Sequence, residues 1–251
     1  MTWVLLRGLM RESRHWGDFV TQLKEACSDE VIVTLDFPGN GNLHQQDSAR
    51  SVMEMAEFCR HELQERGYAP PYKILSVSLG AMVAVAWAEA YPDELSRLVL
   101  INTSLAPHNA FYQRLRPKNY AALLYALLFG SAADREKLIL RITSKQSGTA
   151  HAAPLLKQWG DYAQTCPIST GNILRQLLAA LRYRAPAQKP PVALLLLAGE
   201  RDDLVNPVCS RTLAKKWQCE LRLHPTAGHD LPLDDAAWVI RQVRESSTPV
   251  R

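Results

Sequence analysis

The chain has 251 residues, of which 47% are hydrophobic and 22% charged, with a formal net charge of +4. This is the balance of a soluble globular protein, and the length suits one α/β domain with an insertion around a sizeable core. Several classes are excluded: no apolar run reaches about 18 residues, so no membrane span is expected, and the start Met1-Thr2-Trp3-Val4-Leu5-Leu6-Arg7 lacks the form of a signal peptide. Cys27, Cys59, Cys166, Cys209 and Cys219 are odd in number and scattered without a C-x-x-C pair. They indicate neither a disulfide framework nor a zinc site, and a reduced, cytoplasmic protein is expected.

In chain order, Val4 to Leu6 reads as a short apolar strand. Trp16 to Ala26 reads as a helix, with Trp16, Phe19, Val20, Leu23 and Ala26 at helical spacing. Val31 to Leu35 is a β-branched strand that ends at Asp36-Phe37-Pro38-Gly39-Asn40-Gly41, a turn signal. Ser51 to Glu65 is helical, Tyr72 to Ser76 a strand, Ala81 to Tyr91 a nearly all-apolar helix and Leu98 to Ile101 the next strand. After a long interval come strands at Val192 to Ala198 and Glu220 to Leu223, then a helix over Ala236 to Val243. Strands alternating with helices predict a doubly wound, mostly parallel sheet.

The interval from Thr103 to Lys189 holds no convincing strand. It reads as helices at Tyr120 to Phe129, Arg135 to Ile142, Pro154 to Ala163 and Ile173 to Leu181. The expected division is a core over residues 1–103 and 188–251, with a helical cap over 104–187. Twelve Lys and Arg against three Asp and Glu give this interval a net +9, so the remainder of the chain carries −5. Leu123, Leu124, Leu127, Leu128, Leu177 and Leu178 are candidates for the cap's pocket lining or its packing face. The excess of basic residues accompanies no nucleic-acid-binding motif, and no nucleic-acid partner is expected.

Chemistry concentrates at Ser76-Val77-Ser78-Leu79-Gly80, where a strand meets a helix at a serine between small residues. This is close to G-x-S-x-G, a turn that lifts a serine hydroxyl clear of the backbone. Such a hydroxyl needs a base beside it. His229, in Ala227-Gly228-His229-Asp230, follows the last strand and is the candidate. Asp202 turns off the end of the Leu194 to Leu197 strand and can orient the imidazole, with Asp203 and Glu200 as neighbouring alternatives. The order Ser, Asp, His is that of hydrolases. An acyl-transfer intermediate also needs two aligned N–H donors; Leu79 supplies one and Leu9, beyond the flexible Gly8, the other. Arg7 and Gly8 fall at the same pocket and are candidate substrate-binding residues.

These segments, Leu6-Arg7-Gly8-Leu9, Asp36 to Gly41, Ser76 to Gly80, and Gly199 to Asp202 with Gly228-His229, resemble the α/β-hydrolase superfamily over roughly residues 2–102 and 190–246. The resemblance implies a helical cap over a Ser78, His229 and Asp202 triad. Two positions depart from the family pattern: Arg7 stands where a His usually precedes the glycine, and Ser76 stands where the elbow usually has Gly. The expected activity is hydrolysis of a carboxylic ester or thioester through an acyl-enzyme, on a small-molecule or carrier-bound acyl substrate, with no cofactor and no metal. The same triad also serves carbon–carbon hydrolases and lyases, and the same fold serves ligand-binding and signalling proteins.

Overall fold

Trp3 and Leu5 face one side of the first strand and Val4 and Leu6 the other, as alternate residues of an extended chain must. Both sides are buried, so the strand lies in the middle of a sheet covered on both faces. The computed structural model describes residues 1–246; the last five residues of the expected core segment 188–251 lie outside them. The elements in order are β1 (Thr2–Leu6), α1 (Phe19–Ala26), β2 (Val31–Leu35), α2 (Val52–Glu65), β3 (Tyr72–Val77), α3 (Leu79–Ala90) and β4 (Leu95–Ile101). Next come α4 (Phe111–Arg114), α5 (Tyr120–Leu128), α6 (Ala132–Thr143), α7 (Ala152–Thr165) and α8 (Thr170–Arg182). The chain then returns to the sheet with β5 (Ala193–Gly199), α9 (Val208–Trp217), β6 (Glu220–His224), α10 (Leu231–Asp234) and α11 (Ala236–Glu245).

The six strands form one parallel sheet in the order β2-β1-β3-β4-β5-β6. One face packs α2, α3 and α9 through residues such as Met55, Val83, Trp87 and Leu213. The other packs α1 and α11 through Phe19, Leu23, Val239 and Val243. In a parallel sheet every strand ends on the same edge, so the loops after β1, β3, β4, β5 and β6 gather there.

The helix expected over Trp16 to Ala26 is interrupted. A 3-10 turn over Ser13–Trp16 stops at Gly17, whose φ of 52° no helix can continue, and α1 starts two residues later. Helix α9 was not expected from the sequence, because Asn206-Pro207 and two lysines obscure it; Cys209, Leu213 and Trp217 recur every four residues and bury one stripe. Between β4 and β5 the described residues form helices only, with a single bridge between Ala106 and Arg184. Ser131 and Ser169 cap α6 and α8 by accepting the amides of Asp134 and Asn172. This segment also holds most of the exposed large apolar side chains, Tyr125, Leu128 and Phe129 among them. No described helix is long and apolar enough to cross a membrane.

Candidate active site

Ser78 is the single residue between β3 and α3, so it alone must turn extended chain into helix. It does so at φ 54° and ψ −111°, a region costly for any residue with a Cβ. The turn is possible because its neighbours are small. A Cβ on Gly80 would lie 2.6 Å from the Leu6 carbonyl oxygen and 2.7 Å from that of Arg7, so only glycine lets α3 approach β1. Ser76, the departure from the family pattern, is fully buried, and its hydroxyl donates to the Val99 carbonyl at 3.4 Å. Among the described residues the Ser78 hydroxyl has no hydrogen-bond partner, and it lines a cavity of about 460 Å³.

His229 faces the same cavity and is itself buried. Its Nδ1 lies 2.6 Å from Asp202 Oδ2. The other carboxylate oxygen, Oδ1, accepts the backbone amides of Leu204 and Val205, both at 2.8 Å. Asp202 is 1% exposed, and three hydrogen-bond partners around one buried carboxylate fix its plane. The two alternative acids point elsewhere: Asp203 pairs with Lys118 and Lys145, and Glu200 pairs with Arg211.

The loop that carries His229 is held from several sides. Asn102, at the end of β4, donates from Nδ2 to the carbonyls of Gly228 (3.1 Å) and His229 (2.7 Å), and its Oδ1 accepts the Gly199 amide at 2.9 Å. Asp234 accepts the Gly228 amide at 2.6 Å, and its second oxygen accepts the Ser144 hydroxyl and the Lys145 amide. Burial raises the Asp234 pKa above its ordinary value, against the pull of those donors. The Asp230 amide donates to Thr143 at the end of α6. Neither Asn102 nor Asp234 was expected from the sequence; an Asn directly after a buried strand, able to adopt its φ of 49°, was the available signal for the first.

Arg7 lines the cavity, but its guanidinium is committed elsewhere. It makes two bonds to the Asp230 carboxylate, at 3.1 and 2.5 Å, with both side chains buried. It also stacks over the Trp16 ring. Arg7 therefore ties β1 to the residue after His229, and the departure from the family's His has a partner built for it. Gly8 lies against Ser78: a Cβ there would be 3.3 Å from Ser78 Cβ. Leu79, as the first residue of α3, has an amide without an intrahelical acceptor. The next amide after Leu9, that of Met10, donates to Gln176 Oε1 on α8, and Gln176 Nε2 donates in turn to Asn40 and Ser48. Gln176 is fully buried, so a polar side chain of α8 fixes the turn after β1.

The rest of the cavity wall is mostly Leu and Ile from the helical segment. Leu123, Leu124, Leu127 and Leu177 line it as expected. Leu128 and Leu178 do not: they lie on the outward sides of α5 and α8, at 61% and 44% exposure. Helix α5 is apolar around its whole circumference, so apolar spacing could not tell its inner side from its outer side. Among the described residues no three His, Cys, Asp or Glu side chains converge as metal ligands.

Known proteins share this architecture. A thermophilic esterase from Thermogutta terrifontis superposes with a TM-score of 0.74 at 18% identity, covering 98% of this chain and 88% of that one. The 2-hydroxy-6-oxo-6-phenylhexa-2,4-dienoate hydrolase of Rhodococcus sp. gives 0.79 at 18% identity, covering 98% and 90%. The enol-lactonase of Burkholderia xenovorans gives 0.79 at 16% identity, covering 98% and 91%. At these identities the likeness is one of fold. In sequence, the biotin biosynthesis bifunctional protein BioHC of Teredinibacter turnerae is 30% identical over 105 residues, which span 40% of this chain and 17% of that protein. The profile of the alpha/beta hydrolase family matches residues 3–242. That match takes in the sheet, the elbow at Ser78 and the loop of His229, and the chain belongs to the alpha/beta hydrolase family.

Proposed function

We propose that this protein is a serine hydrolase that cleaves a carboxylic ester or thioester through an acyl-enzyme on Ser78. The observation that carries the reading is the buried Asp202–His229 pair, 2.6 Å apart, facing one apolar cavity together with a serine held in strained backbone. In this reading His229 takes the Ser78 hydroxyl proton as Oγ attacks the acyl carbon. Asp202 keeps Nδ1 protonated and stabilises the imidazolium that forms. The amides of Leu9 and Leu79 receive the oxyanion. Collapse breaks the bond to the alcohol or thiol, which leaves with the proton from His229. Water then attacks the acyl-enzyme by the same steps in reverse order and frees the acid. The helices between β4 and β5 act as the cap that supplies the acyl-binding wall, and the basic residues on their outer surface suit a carrier-bound or otherwise anionic acyl donor.

The test is a panel of p-nitrophenyl esters and acyl thioesters of graded chain length, run on the wild type and on Ser78→Ala, with fluorophosphonate labelling in parallel. Turnover of at least one ester or thioester that Ser78→Ala lacks, with label on Ser78, is the expected result. A wild type that resists the label and hydrolyses none of the panel ends this reading.

A further inference from the structure

Four arginines and one carboxylate line the Ser78 cavity. Arg7 is neutralised by that carboxylate, Asp230. Arg11 is neutralised by Glu136 on α6, at 2.6 Å. Arg114 and Arg135 remain, and neither has a carboxylate partner among the described residues. Arg114 donates through Nη2 to the Ala180 carbonyl near the end of α8, at 2.8 Å. Its Nε is buried with no partner. Burial pulls this guanidinium below its ordinary pKa. Arg135 makes neither a side-chain hydrogen bond nor an ion pair among the described residues.

Arg114 is half-buried, and taking a cation partly out of water without a counter-charge carries a cost. One neutral carbonyl at a helix end accounts for where Arg114 is held, since cations are favoured there. It does not account for a guanidinium in a mostly apolar wall, because it uses one of five N–H donors. What the remaining donors match is a planar anion, which a guanidinium binds through two parallel hydrogen bonds. Beside them, Leu123, Leu127 and Leu177 offer apolar surface for methylene groups.

We propose that the cavity receives an acyl chain ending in a carboxylate, the half-ester or half-thioester of a dicarboxylic acid, with Arg114 as the residue that binds the carboxylate and Arg135 reinforcing it. The proposal rests on the hydrolase reading above and names its substrate class.

The test compares p-nitrophenyl hydrogen adipate with p-nitrophenyl hexanoate, the same six-carbon acyl chain with and without the terminal carboxylate. The readout is the ratio of their kcat/KM values at about 0.15 M salt, where exposed charges are largely screened. The wild type is expected to favour the adipate ester about tenfold or more, the range of a hydrogen bond to a charged group. Arg114→Gln lowers the ratio about tenfold, chiefly through KM, and Arg114→Lys restores part of it. Arg135→Gln, whose side chain has no partner to lose within the fold, lowers the ratio as well. Lys215→Gln, an exposed cation of α9 outside the cavity, leaves it unchanged. Ser78-dependent turnover of the hexanoate ester with no preference for adipate, or a preference that both arginine variants retain, overturns the proposal while leaving the hydrolase reading intact. Turnover of neither ester, in a protein that also resists fluorophosphonate, overturns both.

Discussion

Asp202 and Asp203 are adjacent in sequence and opposite in surroundings. Asp202 is buried against His229 and two backbone amides; Asp203 sits at the surface between two lysines. Asp202→Asn should lower kcat by a factor on the order of 10³ to 10⁴, because an amide cannot hold the imidazole in the required tautomer. Asp203→Asn should stay within about threefold, since exposed ion pairs contribute little. Steady-state kinetics on an ester turned over by the wild type decides it, and a larger loss for Asp203→Asn would put the wrong carboxylate in the role. Arg7 and Asp230 invite a second comparison. Arg7→Met strands a buried carboxylate and should cost about 3–5 kcal/mol in urea unfolding. Arg7→Met with Asp230→Leu removes both charges and should recover most of that loss. If the double variant is no more stable than the single one, the pair is not what holds the loop.

Elements that carry the candidate site were legible because the proposed chemistry constrains them locally. The elbow needs small residues around Ser78, and the sequence has Ser76, Gly80 and Ala81 there. Asp202 and His229 follow apolar strands in the hydrolase order. What was not legible depends on distance in sequence. Asn102 staples β4 to β5 across 97 residues and to the His229 loop across 126 and 127, and no local pattern announces such a contact. The role of Arg7 was hidden for the same reason, its partner being 223 residues away. The loop after β1 makes a further long-range junction with α6 and α7. There His15 packs edge-on to Trp159 and Tyr162, and Arg11 reaches both its Nε2 and Glu136. Burial first, and then the charges of Arg11, Arg7 and Arg14, hold His15 well below the ordinary value of 6.5, so it is neutral in the fold. The sign follows from linkage: stability from this group is complete above pH 6.5 and is lost as pH falls from there towards the folded pKa, because the unfolded chain gains the proton first. Between pH 7.5 and 5.5 the wild type should lose unfolding free energy with a limiting slope of about 1.4 kcal/mol per pH unit from this group. His15→Gln should flatten that part of the profile. An identical fall in the variant would assign the loss to another group.

At the scale of the whole molecule, charge is divided as the substrate reading requires. The segment from residue 103 to 189 carries +9 on a chain of +4, yet its cations do not all face solvent unopposed. Lys118 and Lys145 share Asp203, Arg175 pairs with Asp47, and Arg116 donates to the Asp202 carbonyl. Lys137, Arg141, Lys157, Arg182 and Arg184 are exposed and have no carboxylate partner among the described residues. These five set the field that an approaching anion meets, and a field from exposed charges acts on encounter and fades within about 10 Å at 0.1 M salt. The arginines of the cavity wall act at contact distance and are screened far less. The two effects therefore separate by ionic strength. With an acyl-CoA thioester as a large anionic substrate, kcat/KM should fall several-fold between about 0.02 and 0.3 M salt, while that of a neutral ester of the same acyl chain stays level. Arg141→Gln, Arg182→Gln and Arg184→Gln together should bring the low-salt value most of the way down to the high-salt value and weaken the salt dependence. A thioester and an ester that slow equally with salt, or a triple variant as salt-sensitive as the wild type, would leave the outer charge of these helices without a part in substrate capture. The preference for a terminal carboxylate, set inside the cavity by Arg114, should survive the triple substitution.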